Sequence, residues 1–378
     1  MFFVHPQIKL NKDNLKCVAA SIFRATDRGT LKKKLSLLFP KKQLVFTDMG
    51  RSAFKIIIEQ LNLENSQIIF PAFICDIFYP ILKRYNIKPV FLDIDLDTFN
   101  IDPQKVLDKV GSKTKAVLVS HTFGLPADID SLLKKRKLIV IEDGAHALRA
   151  KYKGKFVGNY GRAAFFSLYK QFPTFRGGLL VCPKDWEVKL GETRFGFRDF
   201  ISFLNSFSLF AFLFKKFTPQ KIAETMTRKE KEVEPAGLNS LSLSFFSNFF
   251  SKHQRSIGNR TNLALFFQHE LKKLGFLVQE SKDNVFCYLS ALIPKGLARK
   301  RDKLVGFLQK EGIFCTRIWH TPIILNKEVQ KTYKINLADF PNTVEAATRI
   351  INFPLQNYYT KEDVEKIINS LKKLLLRL

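Results

Sequence analysis

The sequence predicts an α/β protein: a large domain on a mostly parallel central sheet, followed by a small C-terminal α+β domain. Two observations predict the large domain. Short, wholly apolar runs alternate with helical patterns through the first half of the chain, which is typical of βαβ units. Polar residues directly follow several of these runs, as they do at the binding edge of an open sheet. A third observation, a mixed set of strand and helix patterns over 284–378, predicts the small domain.

The strands of the large domain are short and apolar because a parallel sheet is buried on both faces. Helical patterns lie between most of them, and the region contains no GxGxxG after a strand, no P-loop and no HExxH. Dinucleotide, P-loop and zinc-protease functions are therefore unsupported, and no metal site is expected. We expect strands at 44–46, 67–70, 89–92, 116–119, 138–141, 165–168 and 178–181.

The second half begins with a phenylalanine-rich insertion at about 198–220 and a charged segment that we expect to be a linker. A long connecting helix is expected from residue 238 towards residue 273. The predicted domains are therefore 1–235 and 236–378. Within the small domain we expect a strand at 285–292, a helix at 297–311, a strand at 313–318 and a final helix after Thr360.

The composition is that of a globular protein: 46% of the 378 residues are hydrophobic and 25% are charged. The cysteines are scattered and form no CxxC pair, which argues against a disulfide scaffold or zinc ribbon and fits a reducing compartment. The start of the chain lacks the apolar core of a signal peptide. A cytoplasmic location is therefore expected.

The net charge is strongly positive, since 62 lysines and arginines oppose 34 aspartates and glutamates to give +28. Such a charge attracts polyanions, but the lysines are scattered and no nucleic-acid-binding motif is present. No specific nucleic-acid partner is expected. The simpler interpretation is that these positive charges lie on a solvated surface, with or without a membrane nearby.

The segment 200–217 is a run of phenylalanine and leucine interrupted by small polar residues and closed by Lys215 and Lys216. It is too short and too polar to span a bilayer. One interpretation is a helix that is buried or packs against another subunit. The other is an interfacial helix that places the protein peripherally at the inner face of the membrane.

Three groups of residues at strand ends can carry chemistry. The turn Gly50-Arg51-Ser52 lies between a strand and a helix, where free N–H groups and the helix dipole favour a phosphate; a simple helix cap is the alternative. Asp143 directly follows a buried strand and His146 follows it closely. Asp143 is either a helix cap or the partner of a protonated ring nitrogen, and His146 is either a ligand contact or a structural residue.

The third group is Lys170, which ends a further strand pattern. A lysine at a buried strand end is a potential nucleophile, although a surface lysine is the alternative. A phosphate-binding turn, an aspartate and a lysine together are what pyridoxal 5'-phosphate (PLP) requires. The three groups therefore predict PLP as the cofactor.

The sequence also resembles the DegT/DnrJ/StrS aminotransferases from about Phe46 to the final helix. The resemblance is carried by TDMGRSAF (47–54), KPVFLDIDLDTFNID (88–102), VSHTFGLPADID (119–130), VIEDGAHALRAKYKGKFVGNYG (140–161) and FSLYKQFPTFRGG (166–178). It implies a fold-type I PLP-dependent transferase and a homodimer with its sites at the subunit interface. It also implies small-molecule substrates: an amino-acid donor, usually glutamate, and a keto-sugar acceptor, usually nucleotide-linked, in surface-polysaccharide or amino-sugar biosynthesis.

Carried over by position, the resemblance makes Lys170 the residue that bonds to the cofactor aldehyde and Asp143 the partner of the pyridine nitrogen. His146 stands where the family has a glutamine beside the ring hydroxyl. Ser167 and the Gly50-Arg51-Ser52 turn would hold the phosphate.

This chain departs from the family pattern in three places. Lys170 comes three residues after Ser167 instead of five. Cys75 replaces the aromatic residue that stacks on the cofactor, and no Asn-Tyr-Arg block is recognisable near 234–255. An aminotransferase is the leading interpretation, and a different PLP reaction or a non-catalytic binding role is the alternative.

Overall fold

The structure is a computed structural model that describes residues 1–24, 26–217, 234–253, 257–281 and 283–377. The strands of these residues are β1 (Phe2–Phe3), β2 (Gln43–Thr47), β3 (Gln67–Pro71), β4 (Lys88–Leu92), β5 (Thr114–Ser120), β6 (Ile139–Asp143), β7 (Lys151–Tyr152), β8 (Lys155–Phe156), β9 (Ala163–Ser167), β10 (Gly178–Cys182), β11 (Leu277–Val278), β12 (Leu289–Leu292), β13 (Ile313–Phe314) and β14 (Ile350–Phe353).

The α-helices of the described residues lie between Lys12 and Leu375. They are α1 (Lys12–Phe23), α2 (Arg28–Ser36), α3 (Gly50–Gln60), α4 (Phe78–Arg84), α5 (Pro103–Lys109), α6 (Asp130–Lys134), α7 (Phe197–Asn205), α8 (Ser208–Phe217), α9 (Ser240–His253), α10 (Ile257–Lys273), α11 (Arg301–Lys310), α12 (Lys327–Tyr333), α13 (Pro341–Arg349) and α14 (Lys361–Leu375).

The central sheet has seven strands in the order β2-β10-β9-β6-β5-β3-β4. β10 runs antiparallel to both of its neighbours, and the other pairs are parallel. Each of the seven predicted strands is present, so the predicted α/β class with a mostly parallel sheet is confirmed. Parallel strands carry their carboxyl ends to one edge of the sheet, which is where the candidate residues lie.

The strands are apolar because helices cover both faces of the sheet. Phe165 packs on one face with Phe54 of α3, whereas the next residue, Phe166, packs on the other face with Phe39. This alternation follows from the two-residue period of a strand. The sheet therefore lies at the centre of the core and holds its strand ends in fixed positions.

The small domain contains the antiparallel sheet β11-β12-β14, and α10, α11 and α14 contribute to its core. β1 pairs with β13 in parallel, so the first residues of the chain also contact this domain. The long helix expected from residue 238 is described as two helices, α9 and α10. The domain boundary expected between residues 235 and 236 stays a prediction.

The two strands expected at 285–292 and 313–318 are shorter than predicted, at 289–292 and 313–314. Phe286 has a positive φ of 46°, which is incompatible with a regular strand. The buried guanidinium of Arg260 donates to the carbonyl oxygens of Phe286 and Cys287. These backbone groups are therefore bonded to a side chain instead of to a neighbouring strand.

The phenylalanine-rich insertion forms α7 and α8, while residues 218–220 and the expected charged linker up to residue 233 lie outside the described residues. Ile8 joins this pair of helices to the N-terminal segment, because its backbone bonds to Ser206 (2.6 Å) and Ser208 (3.2 Å). None of the helices described combines the length and the hydropathy that crossing a membrane requires.

Candidate active site

The candidate residues meet at one edge of the central sheet. Asp143 is the last residue of β6, Ser167 is the last residue of β9, and Thr47 ends β2 just before α3 begins. Gly178, the first residue of β10, lies between Thr47 and Ser167 in register with both. The sheet topology therefore brings residues from three distant parts of the sequence together.

The turn that opens α3 lies at this edge, where the sequence predicts a phosphate site. A Cβ built on Gly50 would lie 2.8 Å from Oγ of Ser167, so the turn and the serine hydroxyl approach as closely as a glycine allows. No side chain caps this end of the helix, and the positive end of its dipole faces the turn. Ser52 is buried and Arg51 is half-buried in the first turn of the helix. The chemistry of this turn suits an anion.

Asp143 is buried, with 4% of its surface exposed, and its Oδ1 accepts a hydrogen bond from the N–H of Ala145 (2.9 Å). Burial raises the pKa of Asp143, and the charge of nearby Lys170 acts in the opposite direction. A Cβ on the next residue, Gly144, would come within 2.3 Å of the Phe166 ring. Glycine at this position lets the loop after β6 cross Phe166 and hold the carboxyl group at the strand end.

Lys170 lies in a 3-10 turn that follows β9 directly. Its Nζ is 3.0 Å from Nε2 of His146, so its side chain reaches back towards the end of β6. Position 172, five residues after Ser167, holds Phe172, whose ring packs in the core against Phe246 (5.2 Å between centroids). Of these two positions, only residue 170 therefore places a side chain beside Asp143 and His146.

His146 is the centre of an aromatic cluster. The centroid of its ring lies 5.6 Å from that of Phe123, whose ring is nearly parallel to it. The centroids of Trp319 and Tyr288 lie 5.1 Å and 5.2 Å away, and the Tyr288 ring stands nearly perpendicular to the imidazole. The N–H of Phe123 donates to Nδ1 of His146 (3.3 Å). The pKa of His146 lies well below its ordinary value because of burial and, secondarily, because of the charges of Lys170 and His5.

Cys75, which replaces the family's stacking aromatic, is close enough to Lys170 and Asp143 for their charges to act on its thiol, whose pKa is raised mainly by burial. Phe73 is fully buried behind Trp319, with 5.5 Å between the ring centroids. The Trp319 ring is half-buried and packs between Phe73 and His146. It is therefore the most exposed ring of this cluster, since Phe73, Phe123, His146 and Tyr288 are buried.

Two features of this region were not predicted from the sequence. Trp319 and Phe123 come from segments far from Lys170 in sequence and have positive φ values of 63° and 57°, which no local pattern indicates. The amide nitrogen of Asn239 is buried without a hydrogen-bond partner in the described part of the chain. The only signal available for Asn239 was its place before a helix, and its Oδ1 does cap α9 by accepting from Ser242 (2.8 Å).

The residues present fit PLP. The anion site at Gly50 and Ser167, the buried carboxyl group of Asp143 and the amine of Lys170 are the three kinds of group that a phosphate, a ring nitrogen and an aldehyde require. The buried Nδ2 of Asn239 is a further donor without a partner in the described part of the chain. Its segment adjoins the predicted phosphate site, because Thr47 forms a β-bridge with Gly237.

Comparison with known proteins identifies the family. Its profile, described as the DegT/DnrJ/EryC1/StrS aminotransferase family, matches residues 30–194 and 238–372. The dTDP-4-amino-4,6-dideoxy-D-glucose transaminase of Shigella dysenteriae is 25% identical over 359 residues, which cover 91% of this chain and 89% of that protein.

Two solved structures show the same fold. Helicobacter pylori PseC, an aminotransferase involved in the biosynthesis of pseudoaminic acid, superposes with a TM-score of 0.76 at 17% identity and covers 100% of both chains. The E. coli GDP-4-keto-6-deoxy-D-mannose-3-dehydratase with bound hydrated PLP has a TM-score of 0.74 at 20% identity and covers 98% of this chain and 100% of that chain. The predicted fold-type I architecture and the predicted PLP cofactor are confirmed, and the chain belongs to the DegT/DnrJ/EryC1/StrS aminotransferase family of PLP-dependent enzymes.

Proposed function

We propose that this enzyme transfers the amino group of an amino acid, with glutamate as donor, to a nucleotide-linked keto sugar in surface-polysaccharide or amino-sugar biosynthesis. The observation that carries the proposal is the arrangement of Lys170, Asp143 and the Gly50–Ser167 anion site around one sheet edge. The named sugar transaminases among its relatives support the substrate class.

The proposed site divides the work among its residues. Bound PLP supplies a conjugated ring that takes up the electrons of the bond broken at the reacting carbon. Asp143 would hold a proton at the ring nitrogen through a buried charge-assisted hydrogen bond. The Gly50 turn and Ser167 would hold the phosphate, so that the ring cannot turn away from Lys170.

Lys170 has two tasks in this proposal. Its amine would hold the aldehyde of PLP until the amino group of the donor replaces it, and the released amine would then carry a proton between the two carbon atoms that exchange it. Its 3-10 turn places the amine beside His146 and near Asp143. One side chain can therefore serve both steps from a single position.

The test begins with the purified protein and PLP. We expect an absorbance band that borohydride removes, with the reduced cofactor attached to Lys170 by mass spectrometry. Glutamate should then convert the bound cofactor to its amino form, and a screen of nucleotide-linked keto sugars should identify the acceptor. Attachment at another lysine would refute the assignment of Lys170.

The same experiment separates the alternatives. A cofactor that bonds to Lys170 but never accepts an amino group from any amino acid would indicate a different PLP reaction. A protein that binds no PLP would indicate a non-catalytic role and would refute the proposal.

We also propose that the enzyme is a cytoplasmic homodimer whose sites lie at the subunit interface, as the family resemblance implies. The buried Nδ2 of Asn239, which has no hydrogen-bond partner among the described residues, is compatible with a site that a second copy completes. Sedimentation should give twice the chain mass of 43.6 kDa. A monomer that is fully active would contradict this proposal.

A peripheral membrane contact through 200–217 is the remaining proposal. Most described side chains of α7 and α8 are exposed or half-buried, with only Asp199 and Ala211 buried, and the family profile does not match this insertion. Amphipathic helices with exposed aromatic residues bind the membrane interface, and a net charge of +28 favours anionic lipid. The exposed large apolar side chains within and just before this segment are Phe195, Phe197, Phe200, Leu209, Phe210, Leu213 and Phe214.

Vesicle co-sedimentation tests this contact. The wild type should co-sediment with phosphatidylglycerol vesicles, and Phe200→Glu with Phe210→Glu should abolish binding because both side chains are exposed. The matched control is Leu37→Glu with Leu376→Glu, which adds the same charges at exposed apolar residues elsewhere. Equal loss of binding in both double variants would contradict a contact made by this insertion.

A further inference from the structure

The contact between Lys170 and His146 has a direction that the surrounding hydrogen bonds determine. Nζ of Lys170 and Nε2 of His146 are 3.0 Å apart, which is a hydrogen-bond distance. A hydrogen bond needs one donor and one acceptor, and both of these nitrogens can serve as either, depending on protonation.

The backbone of Phe123 decides which nitrogen of His146 carries the hydrogen. Its N–H points at Nδ1 from 3.3 Å, and an amide N–H can only donate. Nδ1 must therefore present a lone pair. A neutral imidazole then carries its single hydrogen on Nε2, the nitrogen that faces Lys170.

The environment of His146 favours the neutral ring. The side chain is 2% exposed, and burial is the main cause of its lowered pKa. The flanking rings of Phe123 and Trp319 limit rotation of the imidazole, and Gln171 fixes the backbone by donating to the carbonyl oxygen of His146 (2.7 Å). The tautomer with hydrogen on Nε2 is therefore maintained by contacts on several sides.

An ammonium group has three N–H bonds and no lone pair. The N–H of Nε2 can consequently form a hydrogen bond with Lys170 only when Lys170 is an unprotonated amine. We propose that His146 is a positioning residue that donates from Nε2 to the lone pair of Lys170 and thereby favours the amine form that bonds to PLP. This inference rests on the proposed function, because it concerns the lysine assigned to the cofactor.

The covalent step shows why the amine form is needed. The nitrogen of Lys170 forms a double bond to the aldehyde carbon of PLP, and the aldehyde oxygen leaves as water with the two hydrogens of the amine. An ammonium group has no electron pair with which to begin this step. Lys170 gives up its hydrogen bond to His146 as its lone pair moves into the new bond.

The other titratable groups around the pair come from several elements. Asp143, Cys75 and Cys287 act on Lys170, while His5 and Tyr288 lie on the side of His146. Burial raises the pKa of Asp143 and of both thiols. Each of these groups therefore ionises less readily than an exposed one and attracts a cation at Lys170 less strongly.

The first test measures bond formation with PLP across pH. Full-length apoprotein of each variant is mixed with PLP, trapped with borohydride and quantified at Lys170 by mass spectrometry. His146→Phe keeps an aromatic ring but has no donor. The pH at which half of Lys170 is bonded to PLP should therefore lie about one pH unit higher in this variant than in the wild type, which is the size expected for one hydrogen bond. His146→Gln can donate through its amide, so its midpoint should return most of the way to the wild-type value.

Tyr288→Phe is the matched control, because it keeps a ring beside His146 and removes only a hydroxyl group. Its midpoint should equal that of the wild type. A His146→Phe midpoint equal to the wild-type midpoint would overturn the inference while leaving the proposed function intact. A wild-type protein that never bonds to PLP at residue 170 would instead refute the proposed function.

The second test measures the wild-type apoprotein, and variants serve only to assign its signals. Nitrogen-15 NMR of labelled histidines reports which ring nitrogen carries hydrogen, and His146→Gln or His146→Phe identifies the signal, with His5→Gln as a second assignment aid. We expect a hydrogen on Nε2 and a lone pair on Nδ1 at pH 7.5. A hydrogen on Nδ1, alone or in the imidazolium, would overturn the inference.

Discussion

The replacement Asp143→Asn should have opposite effects on the apoprotein and on cofactor binding. Asparagine keeps the shape of the side chain and the acceptor for the N–H of Ala145 (2.9 Å), but it cannot ionise. A hydrogen bond between charged groups contributes about 1.5–3 kcal/mol. PLP affinity should therefore fall by roughly 10- to 150-fold.

The stability of the apoprotein should change in the other direction. Because burial raises the pKa of Asp143 above its unfolded value, its contribution to stability is present at low pH and is lost as pH rises through the folded pKa. Asparagine does not titrate. The variant should thus match the wild type near pH 4 and exceed it near pH 8 by about 1–3 kcal/mol, or a few degrees in Tm.

Thermal unfolding of both apoproteins from about pH 4 to pH 8 measures this difference, and a fluorescence titration measures PLP binding. Parallel curves of Tm against pH for the two proteins would show that folding does not raise the pKa of Asp143. Equal PLP affinities would show that its carboxylate does not face the ring nitrogen. Either result would refute the corresponding step of the reasoning.

Three further changes test other parts of the site. Gly50→Ala places a Cβ 2.8 Å from the hydroxyl oxygen of Ser167 and should lower PLP affinity at least about 10-fold. The control is Gly111→Ala, whose Cβ meets nothing within 4 Å and which should leave PLP affinity unchanged. A PLP titration of both variants measures the difference. Although burial alone would raise the pKa of Glu142, hydrogen bonds from His121 and from backbone N–H groups hold it below its usual range. Glu142→Gln should therefore lose about 2–4 kcal/mol at pH 7 and less as pH falls through the folded pKa, as measured by urea unfolding. Lys170→Arg keeps a cation but cannot form the double bond, so turnover should fall about 10²–10⁴-fold and the borohydride-sensitive absorbance should disappear; retention of that band would exclude Lys170.

The central sheet could be predicted because its strands are buried on both faces and are therefore continuous apolar runs. The order of the strands and the antiparallel direction of β10 could not, because they depend on contacts between distant segments. Residues 285–288 have a strand-like sequence, yet Arg260 takes up the carbonyl oxygens of Phe286 and Cys287. A tertiary contact overrides the local preference there.

The candidate site follows the same division. Asp143, Ser167 and Gly50 could be found from the sequence because each lies at a junction between a strand and the next element. The surroundings of His146 could not, because Phe123 and Trp319 reach it from opposite halves of the chain. The hydrogen bond that selects the tautomer of His146 comes from a backbone N–H, which leaves no trace in residue type.

The altered position of the lysine has a geometric explanation in the turn after β9. A 3-10 helix has three residues per turn, so residues i and i+3 project to the same side. Residues 168–170 form such a turn with Ser167 as its cap, and Lys170 therefore projects to the side of Ser167, towards the strand ends. Phe172 points instead into the core and packs on Phe246 and Phe250. Under the proposed assignment of Lys170, the shorter spacing and the phenylalanine at position 172 are two parts of one change: the lysine stands two residues earlier than the resemblance leads one to expect, and position 172 belongs to the hydrophobic core.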